Sequence, residues 1–209
     1  MKKNIFFLEI KKQLKSNIFW FIGLLSYVLM IVLLFPLFEG QLESIIESME
    51  GNPLFEFFGA SQLQIDTLYG FYGMEVGIVL ILGGAIYAGI LGSRSLAKEE
   101  KDLTIEYLAT NPIERKDIYI QKMLSVVFNI ILLNLALIAF IFPSLLFLDP
   151  NINLLNIFVF HLILIFFQIQ IAIISLSLSI CFKKPNTFIG PLIAVGGYFL
   201  YSILNIVEK

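Results

Sequence analysis

The residues of this sequence that could do chemistry or bind a partner are concentrated between Arg94 and Lys122. This stretch carries twelve charged side chains in 29 residues, and the sequence on either side of it is strongly apolar. Each charge placed in hydrocarbon costs about 3 kcal/mol, so the whole stretch must lie in water. A charged, helix-forming segment between two apolar runs is typical of a docking surface for a soluble partner.

Familiar catalytic arrangements are absent from the sequence. It contains neither the phosphate-binding loop GxxxxGK[ST] nor the metalloprotease motif HExxH. One histidine, His161, and one cysteine, Cys181, exclude a multi-histidine site, a cysteine-based metal cluster and a disulfide framework within one chain. The sequence therefore predicts a chain that is not an enzyme and that holds no metal or cofactor of its own.

Two polar residues inside a later apolar run are the remaining candidates. His161 is ionisable, and an ionisable residue within a membrane span is a functional hypothesis by default. His161 and Gln168 could therefore line a substrate path. The alternative, which we favour, is that the imidazole and the amide form hydrogen bonds between neighbouring helices.

The composition makes the lipid bilayer the solvent of this chain. Of its 209 residues, 58% are hydrophobic and 14% are charged, against about 25% charged in a soluble domain. Five apolar segments are long enough to cross about 30 Å of hydrocarbon. We therefore predict an all-α, polytopic transmembrane bundle that forms a single domain over residues 1–209, with no nucleic-acid partner. The five segments are residues 18–38, 72–93, 124–148, 154–182 and 188–207.

The lysines and arginines predict the orientation. If the N-terminus is cytoplasmic, 13 of the 14 basic residues fall on the inner side, and the outer loops 39–71 and 149–153 hold none. Basic residues accumulate in cytoplasmic loops. We therefore predict that residues 94–122 are cytosolic. The long outer loop, residues 39–71, is acidic, and its carboxylates are expected to be solvated charges.

The first seventeen residues mix apolar side chains with lysines. This mixture predicts an amphipathic helix, residues 1–17, that lies in the membrane interface before the first span. Its lysines would reach anionic lipid headgroups.

Small residues recur every four positions in the second span. Such spacing allows helices to approach closely in lipid. The residues predicted to form this packing surface are Gly84, Ala85, Ala88, Gly89 and Gly92.

Within the charged stretch, residues 102–114 carry the start signals of two helices. Asp102 is a suitable N-cap for a short helix over residues 103–109. Asn111, Pro112 and Glu114 resemble a capping box at the start of a second helix, which would continue into the third span. A helix of two turns is unstable alone. We therefore predict a short crosswise helix that is stabilised by a partner.

In the order and spacing of four elements, residues 84–122 resemble the permease subunits of ABC type-2 exporters. The elements are the acidic pair Glu99-Glu100, the patch Thr104-x-Glu106-x-Leu108, the turn Pro112-x-x-Arg115 and the lysine Lys122. The resemblance implies a permease that is driven by a separate ATPase subunit, to which ATP and Mg²⁺ bind. The residues implied to couple to that ATPase are Glu99, Glu100, Leu103, Thr104, Glu106, Tyr107, Leu108, Pro112, Arg115 and Lys122.

The resemblance also implies an assembly and a location. Two permease copies, identical or different, would combine with two ATPases in the lipid of a prokaryotic cell membrane. Permeases of this family generally have six spans, so we expect either a sixth span beyond Lys209 or a short variant whose C-terminus lies outside. The uniformly apolar spans are compatible with a lipid-like cargo, a peptide or an ion.

Two other classes of function remain open from the residues alone. A non-transport scaffold, such as an immunity or sensor protein, could use residues 94–122 to bind a cytosolic partner. An intramembrane enzyme is the third hypothesis. A neighbouring gene for an ATPase with a phosphate-binding loop would favour the permease over the scaffold.

Overall fold

The computed structural model describes residues 5–38, 67–101, 115–179 and 187–207, and these residues contain helices and no strand. The predicted all-α bundle is confirmed. The second helix begins with the α-helical turn Leu68–Phe71, passes through the π-helical turn Tyr72–Val76 and ends as the α-helix Gly77–Lys101; we call residues 68–101 together α2. The other helices are α1 (Ile5–Phe38), α3 (Arg115–Leu148), α4 (Leu154–Ser179) and α5 (Ile189–Val207).

Among the described residues, four helices are long and apolar enough to cross a membrane, namely α1 to α4. In α5 the corresponding apolar stretch, Ile189–Leu200, is shorter. Hydrocarbon offers no partner to a free backbone N–H or C=O group. The long apolar runs therefore satisfy their polar backbone groups internally, as helices.

Helix α1 differs from the sequence-based expectation in its continuity. Its 34 residues form one helix of about 51 Å, with no break between residues 17 and 18. The structure describes residues 5–17 of the predicted interfacial helix, and this part is continuous with the first span. Its position relative to the lipid surface stays a prediction.

The helices run alternately up and down, so that one end of the bundle collects the basic residues. The Tyr119 hydroxyl lies 3.1 Å from Ser177 Oγ, which places the start of α3 beside the end of α4. Ser93 Oγ donates to the Thr187 carbonyl at 3.2 Å, which places the end of α2 beside the start of α5. We call this the basic end; its exposed basic side chains are Lys11, Lys12, Lys15, Arg94 and Lys116.

Helix α2 lies at the centre of the bundle. It packs mainly against α4 and α5, whereas α1 packs mainly against α3, and α3 also contacts α4. The apolar core is continuous through these contacts and includes Val28 of α1, Leu80 of α2, Ile130 of α3 and Leu164 of α4. A movement of α2 would therefore displace the helices that pack against it.

Candidate functional site

The charged stretch that the sequence predicts as a docking surface begins and ends at the basic end. Helix α2 ends at Lys101 and α3 begins at Arg115, so residues 102–114, which we call the docking segment, connect these two helices and lie outside the described residues. The backbones of Glu99, Glu100 and Arg115 belong to the adjoining helical turns, and their side chains also lie outside the description. The predicted docking residues that fall within 102–114 are Leu103, Thr104, Glu106, Tyr107, Leu108 and Pro112.

Lys122 is the one predicted coupling residue whose side chain the structure describes, and it faces the interior of the bundle. It is fully buried in α3. Its Nζ donates a hydrogen bond to the Ser95 carbonyl of α2 at 2.6 Å and forms an ion pair with Glu9 Oε1 of α1 at 3.3 Å. A buried ammonium group is tolerated only when it is paired and hydrogen-bonded. Lys122 thus joins three helices instead of contributing to the outer surface of the docking segment.

Glu9 is almost as enclosed as Lys122. Its side chain is 8% exposed, and its second cation is Lys12, whose Nζ lies 3.6 Å from Glu9 Oε1 and whose side chain is 52% exposed. The carboxylate therefore bridges a fully buried lysine and a lysine at the surface. We call Glu9, Lys122 and the Ser95 carbonyl the basal junction.

A second polar layer joins the same three helices farther into the bundle. Asn129 Nδ2 of α3 donates to Gln13 Oε1 of α1 and to the Ser125 carbonyl, each at 2.7 Å. Asn17 Nδ2 of α1 donates to Asn129 Oδ1, and the Tyr87 hydroxyl of α2 donates to Asn17 Oδ1 at 2.7 Å. These interhelical bonds restrict the register of α1 along α3.

The inward face of α1 explains how these contacts arise. Glu9, Gln13 and Asn17 are spaced four residues apart, so they lie along one face of a helix. Lys11 and Lys15 lie on the exposed side. The four-residue spacing is a signal that sequence analysis could have used, although it does not identify Lys122 or Asn129 as the partners.

His161 and Gln168 of α4 each form a hydrogen bond with another helix. His161 is fully buried, with its Nε2 2.8 Å from the Tyr72 hydroxyl of the π-helical turn, and its Nδ1 has no partner among the described residues. Gln168 Oε1 accepts from Asn134 Nδ2 at 2.7 Å, beside Gly84. These contacts favour the hydrogen-bonding interpretation, and a substrate-path role stays a prediction.

The small residues of α2 face the neighbouring helices. A methyl group added to Gly89 would overlap the backbone carbonyl of Gly190 in α5, and one added to Gly92 would overlap that of Ala172 in α4. The five residues predicted for this surface, Gly84, Ala85, Ala88, Gly89 and Gly92, are all buried.

The described residues contain no group of three His, Cys, Asp or Glu side chains that could hold a metal ion. The interhelical hydrogen bonds join helices to one another, and the basal junction lies where the chain enters and leaves residues 102–114.

One family model, described as "ABC-2 family transporter protein", matches residues 3–207. No curated protein and no solved structure matches the chain. The family match covers all five helices and the segment between α2 and α3.

Proposed function

Because the chain belongs to the ABC-2 transporter family, we propose that it is the permease subunit of an ATP-binding-cassette exporter. The observation that carries this proposal is the family match over residues 3–207. The chain is a membrane protein with several helices able to span a bilayer. In this proposal it moves its cargo outward across the plasma membrane of a prokaryotic cell.

The proposal divides the work between two kinds of subunit. The chain carries no ATP-binding motif of the GxxxxGK[ST] type, so ATP and Mg²⁺ bind to a separate ATPase subunit. Two permease copies and two ATPases form the working complex. The ATPase docks on the short helix predicted over residues 103–108, and Glu99, Glu100 and Glu106 contact its basic groups.

The basal junction could receive force from a docked ATPase, because it lies close to the docking segment. Ser95 is six residues before Lys101, and Lys122 is seven residues after Arg115, which are helical rises of about 9 and 10 Å. The hydrogen bond from Lys122 to the Ser95 carbonyl ties these two helix ends together. A force applied to residues 102–114 would therefore act on α2 and α3 jointly.

Co-purification tests the proposal. The affinity-tagged chain is expressed together with a candidate ABC ATPase subunit from the same organism, and ATPase activity is measured after purification in detergent. We expect Glu100→Lys to abolish recovery of ATPase activity by reversing a docking charge. Leu108→Asp should do the same by replacing an apolar residue of the predicted crosswise helix with a charged one.

The control is Asn151→Asp, which introduces a charge in the exposed turn at the opposite end of the bundle. It should recover as much ATPase activity as the wild type, and all three variants should insert into the membrane equally well. Undiminished ATPase recovery with both docking variants would overturn the proposed docking surface. A wild-type chain that recovers no ATPase would contradict the proposed function itself.

A further inference from the structure

We propose that Glu9 is a positioning residue of the transport cycle, and this inference rests on the proposed function. Through its ion pair with Lys122, Glu9 makes the first turns of α1 move together with the helix ends that flank residues 102–114. The ATPase then acts on three helices, although its docking segment connects only two of them.

The geometry of the basal junction supports a link of this kind. The Lys122 Nζ contacts α1 through Glu9 Oε1 at 3.3 Å and α2 through the Ser95 carbonyl at 2.6 Å. Lys122 itself belongs to α3. One fully buried ammonium group thus contacts two further helices at the level where the docking segment begins and ends.

The contact between α1 and α3 combines polar and apolar groups over this part of the bundle, where the rings of Phe6 and Phe128 have centroids 5.8 Å apart. The Phe6 N–H donates to Gln121 Oε1 at 3.4 Å, and Gln13 accepts from Asn129 Nδ2 at 2.7 Å. Farther along, α1 and α3 meet through apolar groups, such as the rings of Phe21 and Phe140, whose centroids are 5.7 Å apart. Apolar contacts are non-directional, whereas hydrogen bonds have defined geometry. The directional bonds that restrict the register of α1 on α3 therefore lie at the basal junction and in the layer above it.

A contribution to stability does not by itself explain the ion pair between Glu9 and Lys122. A buried salt bridge is weak evidence for stability, because well-packed apolar residues of similar size often replace it without loss. Loss of one partner is costly, since it leaves a charge in the interior. Removal of both partners therefore distinguishes two roles of the ion pair. If the ion pair positions α1, the double variant loses that function. If the ion pair only stabilises the fold, the double variant behaves like the wild type.

The variants follow from this argument. Glu9→Gln and Lys122→Met each remove one charge and are expected to lower stability. The double variant Glu9→Gln/Lys122→Met buries neither charge, so it should be more stable than either single variant, although it also lacks the hydrogen bond to the Ser95 carbonyl. Lys12→Gln is the matched control, because it removes the exposed cation that lies 3.6 Å from the same carboxylate.

The measurement uses distances between spin labels in the complex with its ATPase in lipid nanodiscs. Labels are attached to cysteines at the exposed positions Lys11 of α1, Lys116 of α3 and Leu178 of α4, in a Cys181→Ser background. Each pair is recorded without nucleotide and after trapping with ATP and vanadate. The distance from position 11 to 116 shows whether α1 and α3 move together. The distance from position 11 to 178 shows whether α1 moves relative to α4.

In the wild type and in Lys12→Gln, we expect trapping to shift the 11–178 distance and to leave the 11–116 distance unchanged. In the folded double variant, the 11–116 distance should broaden and become dependent on nucleotide. A double variant that behaves like the wild type would overturn the proposal. So would a wild type in which the 11–116 distance shifts as much as the 11–178 distance, or in which neither distance shifts.

Failure of the proposed function gives a different result. A wild-type chain to which no ATPase binds overturns that function, and this inference with it. If the ATPase binds and its activity is recovered while the 11–116 distance fails the test, only the role of Glu9 is overturned.

Discussion

Gly89 and Gly190 allow α2 and α5 to meet backbone to backbone. A methyl group on either residue would overlap the carbonyl group of the other. Glycine in a helix interior is less favourable than alanine by about 1 kcal/mol in water. In lipid, where apolar side chains gain little from leaving the solvent, close packing of small residues is a main source of helix association. The gain in packing therefore explains glycine at these two positions.

This argument predicts opposite effects for the same substitution at two sites. Gly89→Ala should destabilise the bundle by about 1–3 kcal/mol, because α2 and α5 must separate to admit the methyl group. Gly23→Ala should be neutral or stabilising by up to about 1 kcal/mol, because a methyl group at Gly23 meets nothing within 4 Å. Thermal unfolding in detergent, followed by tryptophan fluorescence, measures both effects. Equal unfolding temperatures for the two variants would show that α2 and α5 do not approach this closely.

Helix α1 shows which features local sequence patterns predict and which they do not. Hydropathy correctly predicts an apolar helix here, because every residue of a long apolar run contributes to the signal. The helix nevertheless begins at Ile5, well before the apolar run. In this early part of the helix, Glu9, Gln13 and Asn17 face the bundle. Their partners Lys122 and Asn129 are more than 100 residues away in the chain. A local pattern contains no information about such pairs.

The candidate site was predictable only in part. Charge density predicts a docking surface between α2 and α3, and this stays a prediction because residues 102–114 lie outside the described residues. The four-residue spacing of small residues agrees with the burial of those residues in α2. The inward orientation of Lys122 was not predictable from its neighbours Gln121 and Met123. It depends on Glu9 and on the Ser95 carbonyl, which only the folded bundle brings together.

A single proline tests the continuity of α1. Ser16 lies within the helix and is half-buried, close to the boundary at residue 17 that the sequence predicts between an interfacial helix and a span. In a continuous helix, Ser16→Pro removes one backbone hydrogen bond, introduces a steric clash with the preceding turn and costs about 3 kcal/mol or more. We therefore expect a clearly lowered unfolding temperature.

The control for this substitution is Ser16→Ala, which removes the hydroxyl and keeps the helix. It should unfold within a few degrees of the wild type. A hinge at residues 16–17 would tolerate the proline, so equal stability of Ser16→Pro and Ser16→Ala would contradict a continuous α1.

On the scale of the whole molecule, the fold brings separate basic segments to one end. The basal junction holds the start of α1 against the end of α2 and the start of α3, although Glu9 and Lys122 are 113 residues apart in the chain. Lys11, Arg94 and Lys116 are consequently exposed at the same end of the bundle. The opposite end contains Asp149 and the turn that joins α3 to α4. The fold thus agrees with the one-sided charge pattern on which the predicted orientation depends.

The orientation predicts which end of the bundle a reagent outside the cell can reach. Single cysteines at Lys116 and Asn151, both exposed, are introduced in a Cys181→Ser background and treated with a membrane-impermeant maleimide. Because basic loops remain on the cytoplasmic side, we expect Asn151→Cys to react in intact cells and Lys116→Cys to react only after permeabilisation. Reaction of Lys116→Cys in intact cells would place the docking segment outside. An ATPase in the cytosol could not then bind the short helix predicted over residues 103–108, and no ATP-driven force could reach the basal junction.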